Sequence, residues 1–284
     1  MKRLSIALVF VAIIALFGVP VKAQEQQEDK GLLITPIRAY KTVAADKTSS
    51  GSLTVGNLTR KSIDISLSVE QFSVTDYSYD YVFSPPKEQW VEFETPFLKL
   101  APNETREVKY RIAVPKDASP GGHYFTLFAQ AQLEPGKKVR AATVLYVTVD
   151  GEITKTSTIE GAVLPDVSFG NDIPYSLTIH ATGNTHFLIY ASGKLEGWSV
   201  WQKTSDSAHI LLPNTNRRIE GSIAAPLLPG LYKASYGYKT EEGQLVQQSK
   251  NIVYVPIWFL LILVGVIWGI IAFLQRRRRL LNFR

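Results

Sequence analysis

Leu100-Ala-Pro-Asn-Glu-Thr-Arg106 and Leu211-Leu-Pro-Asn-Thr-Asn-Arg217 are two versions of one phrase, and the residues downstream of each are alike too. Pro102, Asn103, Arg106, Ile112 and Pro115 recur as Pro213, Asn214, Arg217, Ile223 and Pro226, each 111 residues further on. Pro120-Gly121 returns as Pro229-Gly230, and Tyr124 as Tyr232, after a small deletion. Upstream, Ser52-Leu-Thr-Val55 followed by Asn57 is echoed by Ser176-Leu-Thr-Ile179 followed by Gly183-Asn184. Five identities in one register argue for duplication. The period fits one immunoglobulin-like sandwich of about 100 residues. In each copy Pro-Asn turns the chain, an alternating strand comes next, and Pro-Gly turns it again.

The strands are legible as period-two runs. Val108, Tyr110, Ile112 and Val114 alternate with Lys109, Arg111 and Ala113. Ile63-Ile65-Leu67-Val69, Leu53 with Val55, and Leu177 with Ile179 read the same way, and Gly, Pro and Asn clusters separate them. No sustained helical period precedes residue 253. The fold class expected is all-β: two tandem immunoglobulin-like β-sandwiches followed by a single transmembrane α-helix.

The two ends of the chain set its topology. Lys2 and Arg3, the apolar run Leu4 to Val19 and the small-residue site Val21-Lys22-Ala23 make a secretory signal peptide. Ile257 to Leu274 is an uncharged run whose helix would be about 27 Å long, near the ~30 Å hydrocarbon core. Tyr254 and Trp258 suit the outer interface, and Arg276, Arg277, Arg278 and Arg279 favour the cytoplasmic side. The organisation expected is signal 1–23, flexible start 24–30, first sandwich 31–150, second sandwich 151–252, helix 253–275 and basic cytoplasmic tail 276–284. Both sandwiches then face outward from a single-pass anchor in the cell membrane.

The net charge of +6 comes from those ends. Setting aside Lys2, Arg3 and Lys22 of the signal and the five arginines of the tail leaves 23 basic against 25 acidic residues. No basic footprint remains that would suit nucleic acid. There is no cysteine, so the domains depend on their apolar cores, and thiol chemistry is excluded. Asn57-Leu-Thr59 and Asn103-Glu-Thr105 fit the glycosylation sequon.

Little points to catalysis. The four histidines are His123, His180, His186 and His209; His180 and His186 flank a Gly-Asn turn but lack an evident third metal ligand. No nucleophile elbow or phosphate-cradling glycine loop is present. Leu212-Pro-Asn-Thr215 matches a sorting sequence only superficially, because it lies far upstream of the hydrophobic tail. A non-enzymatic protein without catalytic residues, metal or cofactor is expected.

Candidate contact residues are aromatic. Tyr77, Tyr79 and Tyr81 would share one strand face, with Phe72 and Val74 on the opposite parity and Pro85, Pro86 and Trp90 further along. Either one set faces solvent, or a bulge near Thr75 brings both into the core. Trp198 and Trp201 pose the same choice in the second domain: core or exposed platform.

Trp90 through Phe128, with Leu100-Ala-Pro-Asn-Glu104, Ile112-Ala-Val-Pro115 and Ala118-Ser-Pro-Gly-Gly-His-Tyr124, resembles bacterial cell-surface proteins of the WxL-interacting type. It also resembles the looser pilus-chaperone-like sandwich group. Gly183-Asn-Thr-His-Phe187, Leu212-Pro-Asn-Thr-Asn-Arg217 and Leu228-Pro-Gly-Leu-Tyr232 look like the partner domain. The resemblance implies an immunoglobulin-like first domain and binding to cell-wall polymer, other surface proteins or host matrix. Two roles are expected from it: a surface binding protein, or an accessory chaperone that takes up a client strand at a sheet edge.

Overall fold

A computed structural model describes residues 31–197 and 202–281. The expected signal peptide and flexible start lie outside the described residues.

The first sandwich pairs two sheets. One has the order β1 (Leu32–Thr35), β3 (Thr48–Asn57), β8 (Thr105–Ala113), β6 (Val91–Phe93). The other runs β2 (Arg38–Val43), β10 (Lys137–Val149), β9 (Gly121–Glu134), β4 (Ile63–Val74), β5 (Tyr81–Ser84), with β7 (Phe97–Leu100) also on β4. The second sandwich repeats the plan. Its sheets are β11 (Ser157–Val163), β13 (Asp172–Ala181), β16 (Asn216–Ala224), and β12 (Val167–Ser168), β18 (Leu245–Tyr254), β17 (Gly230–Thr240), β14 (Phe187–Glu196), β15 (Gln202–Leu211). In each domain the opening segment is split by a proline, Pro36 or Pro165, which carries no N–H for a ladder. The chain there leaves one sheet and enters the other, and β2 and β12 run parallel to β10 and β18.

The repeat is visible in the backbone. Asn103 and Asn214, the asparagines of the doubled phrase, both turn the chain in the left-handed region, at φ 58° and 56°. That conformation is one Asn tolerates well. Ile112 and Ile223 are both fully buried. Gly51 lies opposite Tyr110 on β3 and β8, and Gly221 opposite Tyr175 on β16 and β13. The ring fills the space above each glycine, so a Cβ there would overlap the tyrosine. The strand carrying the glycine has changed between copies. One expected equivalence fails. Tyr124 lies opposite in parity to the core residues Phe125 and Leu127, whereas Tyr232 shares parity with the core residues Ala234, Tyr236 and Tyr238.

Each sandwich has its own core. Leu53, Ile65, Leu100, Ile112, Phe125, Leu127 and Leu145 fill the first, and Ile173, Leu177, Ile189, Leu195, Ile219 and Tyr238 the second. Asn57 secures one end of the first core. Its amide donates to the carbonyls of Lys61 (2.7 Å) and Ala101 (2.9 Å), and its Oδ1 accepts from the Thr59 N–H (2.9 Å). It is fully buried, so the folded chain does not offer this sequon, whereas Asn103 is exposed.

Helix α1 (Ile257–Leu281) comes after β18 with only Val255 and Pro256 between them. It is long and apolar enough to cross a membrane, and none of its apolar stretch is buried by the sandwiches. The expected span of 253–275 is corrected at both ends: Val253 and Tyr254 belong to β18, and Arg276 and Arg277 continue the helix.

Asn57→Ala should lower unfolding stability by about 3 kcal/mol, because buried carbonyls lose their donor. Urea denaturation of the first-domain transition measures it; an unchanged midpoint would show that water replaces the amide.

Candidate binding surface

The outer face of the first domain's larger sheet is aromatic. On β9, Phe125, Leu127 and Ala129 point into the core, which turns Tyr124, Thr126 and Phe128 outward. On β10, Leu145 and Val147 point in and Tyr146 points out; Phe72 and Val74 of β4 share that outer side. These side chains do not face water. Phe72 and Tyr146 form a third apolar cluster with Leu212 of the second domain, joined by Val74, Tyr79, Tyr124, Val144 and Ile210. His186 closes the seam, with ring centroids 4.7 Å from Tyr146 and 5.7 Å from Tyr40 and Tyr124.

The turn Thr75–Asp80 between β4 and β5 carries the polar half of this junction. Tyr77 and Tyr79 both have left-handed backbones (φ 67° and 63°), rare for bulky residues. Their expected shared strand face with Tyr81 is therefore corrected: the chain is turning at 77 and 79, and only Tyr81 lies in a strand. No bulge at Thr75 is needed, because Phe72 and Val74 are covered by the second domain.

The Tyr77 N–H donates to the Asn216 carbonyl (2.7 Å), and the Arg218 N–H to the Tyr77 carbonyl (3.1 Å). Asp76 accepts from the Asn216 N–H at 2.8 Å. The Tyr79 hydroxyl enters a closed ring of hydrogen bonds. It accepts from the Leu212 N–H (2.6 Å), donates to Thr215 Oγ1 (2.8 Å), and the Thr215 hydroxyl donates to the Leu212 carbonyl (2.7 Å). Such rings polarise their members cooperatively. Arg217 stands 4.3 Å from the Tyr79 ring centre and donates to the Ile210 carbonyl. The doubled phrase Leu212–Arg217 is thus the socket for the Tyr77–Tyr79 turn.

A second tie lies on the linker side. Asn184 binds the Glu152 carbonyl (2.7 Å) and the Thr154 N–H (2.8 Å), while its own carbonyl accepts from the Gly122 N–H (2.9 Å). Beside it opens a hollow lined by Tyr40, Thr148, Lys155, His186, Ile210 and Glu241. Lys155 is held to Glu241 at 2.6 Å, which raises the Lys155 pKa.

Past the seam the aromatic surface continues into solvent. Tyr81 packs on Phe72 (5.4 Å) and stacks with Phe83 (6.2 Å), and Phe83 meets Phe128 edge-on at 5.1 Å. The Arg140 guanidinium lies 3.6 Å above Phe128 and is bonded to Glu70. Tyr81 and Phe83 are 42% and 41% exposed on an edge strand, which makes an aromatic ledge flanked by a cation.

The other expected contact residues fall elsewhere. Trp90 is buried in the first core against His123 and Phe125, so it is not a surface platform. Tyr254, expected at the membrane interface, is buried in the second core because it ends β18 with its ring inward. Trp258 stands exposed in the first turn of α1, and Arg276 and Arg277 are exposed near its end. Trp198 and Trp201, and the side chains of Arg278 and Arg279, lie outside the described residues. His180 binds Asn216 (2.9 Å) and His123 binds Glu88 (3.1 Å); His180 and His186 do not face each other as a pair. Among the described residues no three His, Asp or Glu side chains are gathered as a metal would require. Tyr40, Tyr146 and Phe128 were not singled out by sequence, Tyr124 was read only as part of the repeat and the family motif, and Phe83 only as a neighbour of Tyr81. Their signal is a strand apolar on both parities, Tyr124-Phe125-Thr126-Leu127-Phe128, which means cover on both faces.

No family model matches the chain, and no curated protein matches it. Similar solved structures include the periplasmic chaperone SfaE, at 12% identity and TM-score 0.39, with 80% of this chain and 100% of that chain covered. A chain of the CsuC–CsuE chaperone–tip adhesion subunit complex of Acinetobacter baumannii pili is 12% identical at TM-score 0.40, covering 79% and 99%. The PapD-like domain 7 of human CEP192 is 14% identical at TM-score 0.34, covering 48% and 96%.

Tyr79→Phe should cost about 1–3 kcal/mol, since it opens the ring and leaves the Leu212 N–H unpaired; the chemical-denaturation midpoint reads this directly. The junction should also respond to acid. Burial pushes the His186 pKa down to about 4, so the unfolded chain takes up this proton before the folded one does. Stability is full above about pH 6.5 and falls as the pH drops towards 4, by roughly 3 kcal/mol. His186→Phe keeps the ring contacts and should flatten that slope in urea titrations at pH 7 and pH 4.5.

Proposed function

We propose that this chain is a non-enzymatic, membrane-anchored binding protein of the cell surface. It holds a stiff two-sandwich body outside the membrane and binds another surface protein or cell-wall polymer through the aromatic ledge of its first domain. The observation that carries this reading is the ledge itself. Tyr81 and Phe83 remain two-fifths exposed on an edge strand, yet their rings are fixed by Phe72 and Phe128 beneath them. Rigid aromatic rings beside an arginine suit protein and sugar contacts at little entropic cost. The apolar helix α1 supports the anchored placement.

A second reading has its own support. Among the described residues β5 pairs with β4 alone, and all four of its own residues are exposed. An open strand edge can accept an extended segment of a client, with main-chain bonds supplying affinity. The mode would be strand addition, and the role that of an accessory chaperone in the envelope.

The two readings separate on variants of the full chain. Tyr81→Ala with Phe83→Ala should reduce capture of wall polymer or a neighbouring surface protein at least tenfold, the loss of about 1.4 kcal/mol or more, with unchanged thermal unfolding. Val82→Lys should leave face binding nearly intact and abolish strand addition. Undiminished capture by both variants would rule out this part of the surface.

A further inference from the structure

Four segments meet at the end of the second sandwich from which α1 departs. They are the ends of β12 and β18, the start of β17, and the loop before β17. Val253 lies beside Val167 on one side and Leu231 on the other, forming a cross-strand row of three apolar side chains. Neighbours in such a row stand about 5 Å apart and present one continuous surface. All three are exposed, at 41%, 43% and 55%. Phe169, two residues beyond Val167, is 49% exposed, and Leu227 and Leu228 are 81% and 65% exposed. Hydrogen bonds fix this end of the fold: the Tyr232 hydroxyl donates to the Leu228 carbonyl (2.9 Å), and the Val255 N–H to the Ser168 carbonyl (2.9 Å). Two ion pairs lie close by, Lys250 with Asp166 at 2.7 Å and Lys194 with Glu196 at 2.6 Å. A contiguous apolar patch of this kind on a soluble domain marks a contact site.

Its distance from α1 identifies what covers it. Only Val255 and Pro256 separate Tyr254 from Ile257, three Cα steps and a reach of at most about 10 Å when fully extended. The uncharged run from Ile257 to Leu274 makes about 27 Å of helix, slightly less than the ~30 Å hydrocarbon core. Ile257 must therefore sit at or within the hydrocarbon border. The headgroup layer above it is only about 5–8 Å deep on each side. β18 and its neighbours therefore end within that layer or directly against it.

We infer that the base of the second sandwich is a membrane-seating surface: Phe169, Leu227, Leu228, Leu231 and Val253 enter the headgroup and upper acyl region of the outer leaflet beside α1. The occupant is lipid, and the contact holds the body at one tilt. The inference rests on α1 spanning the bilayer, and the test is built to separate the two.

The chain has no cysteine, so single-cysteine labelling needs no background removal. Full chains carrying Leu228→Cys, Ile267→Cys or Lys137→Cys are labelled with an environment-sensitive fluorophore and reconstituted in phosphatidylcholine nanodiscs. Position 267 lies mid-helix, and 137 is the exposed first residue of β10, at the end of the first domain away from the linker. Quenching by lipid-borne nitroxide at 228 should exceed that at 137 roughly threefold or more, with protection from aqueous iodide. A label at 228 that iodide quenches like the one at 137, while 267 is lipid-quenched, overturns the seating surface and leaves the span standing. A label at 267 that lipid nitroxide does not reach overturns the span, and the seating surface with it.

Discussion

The body of this protein depends on one contact: a tyrosine-rich turn of the first sandwich set into the doubled phrase of the second. Two immunoglobulin-like domains joined by a short linker swing freely unless something apolar is buried between them. Here Phe72, Tyr146 and Leu212 supply that apolar part, and the Tyr79–Leu212–Thr215 ring fixes its orientation. Apolar burial favours contact without specifying angle, whereas the ring accepts only one arrangement. The left-handed backbones at Tyr77 and Tyr79 belong to the same solution. They cost conformational energy locally and are held by the partners that each turn residue gains across the junction.

Both domains carry the same phrase, and its two copies do different work. Around Asn103 it is an exposed turn of the first sandwich; around Asn214 it is the socket of the junction. Asn57 and Asn184, which echo each other in sequence, have diverged likewise. The first is sealed inside one domain, and the second ties the linker to both. A repeat preserves the turn that the chain must make, since backbone geometry restricts which residues can stand there. It does not preserve what the turn touches.

That distinction explains what could be read from the residues alone. The sandwiches, their two-fold repetition and the apolar helix are legible from period-two alternation, paired turns and a charge-free run, all of which are local. Tyr77 and Tyr79 misled because nothing in a tyrosine announces a positive φ, so an alternating Tyr-x-Tyr-x-Tyr reads as strand. Trp90 and Tyr254 misled because a large amphipathic ring serves a core and a surface equally well. The aromatic seam was hidden for a related reason. Alternation separates the two faces of a strand, but when both are apolar it cannot tell core from neighbouring domain, and β9 is apolar on both.

The short step from β18 to α1 also has a mechanical side. In the anchored arrangement proposed above, a tug on the ledge would reach the helix through the C-terminal end of β18. That strand lies between β17, running antiparallel, and β12, running parallel. Tension along its axis strains the flanking ladder bonds crosswise and together, since these bonds lie across the strand direction. Peeling would break them one after another; this geometry shares the strain, so the last strand can act as a clamp under traction.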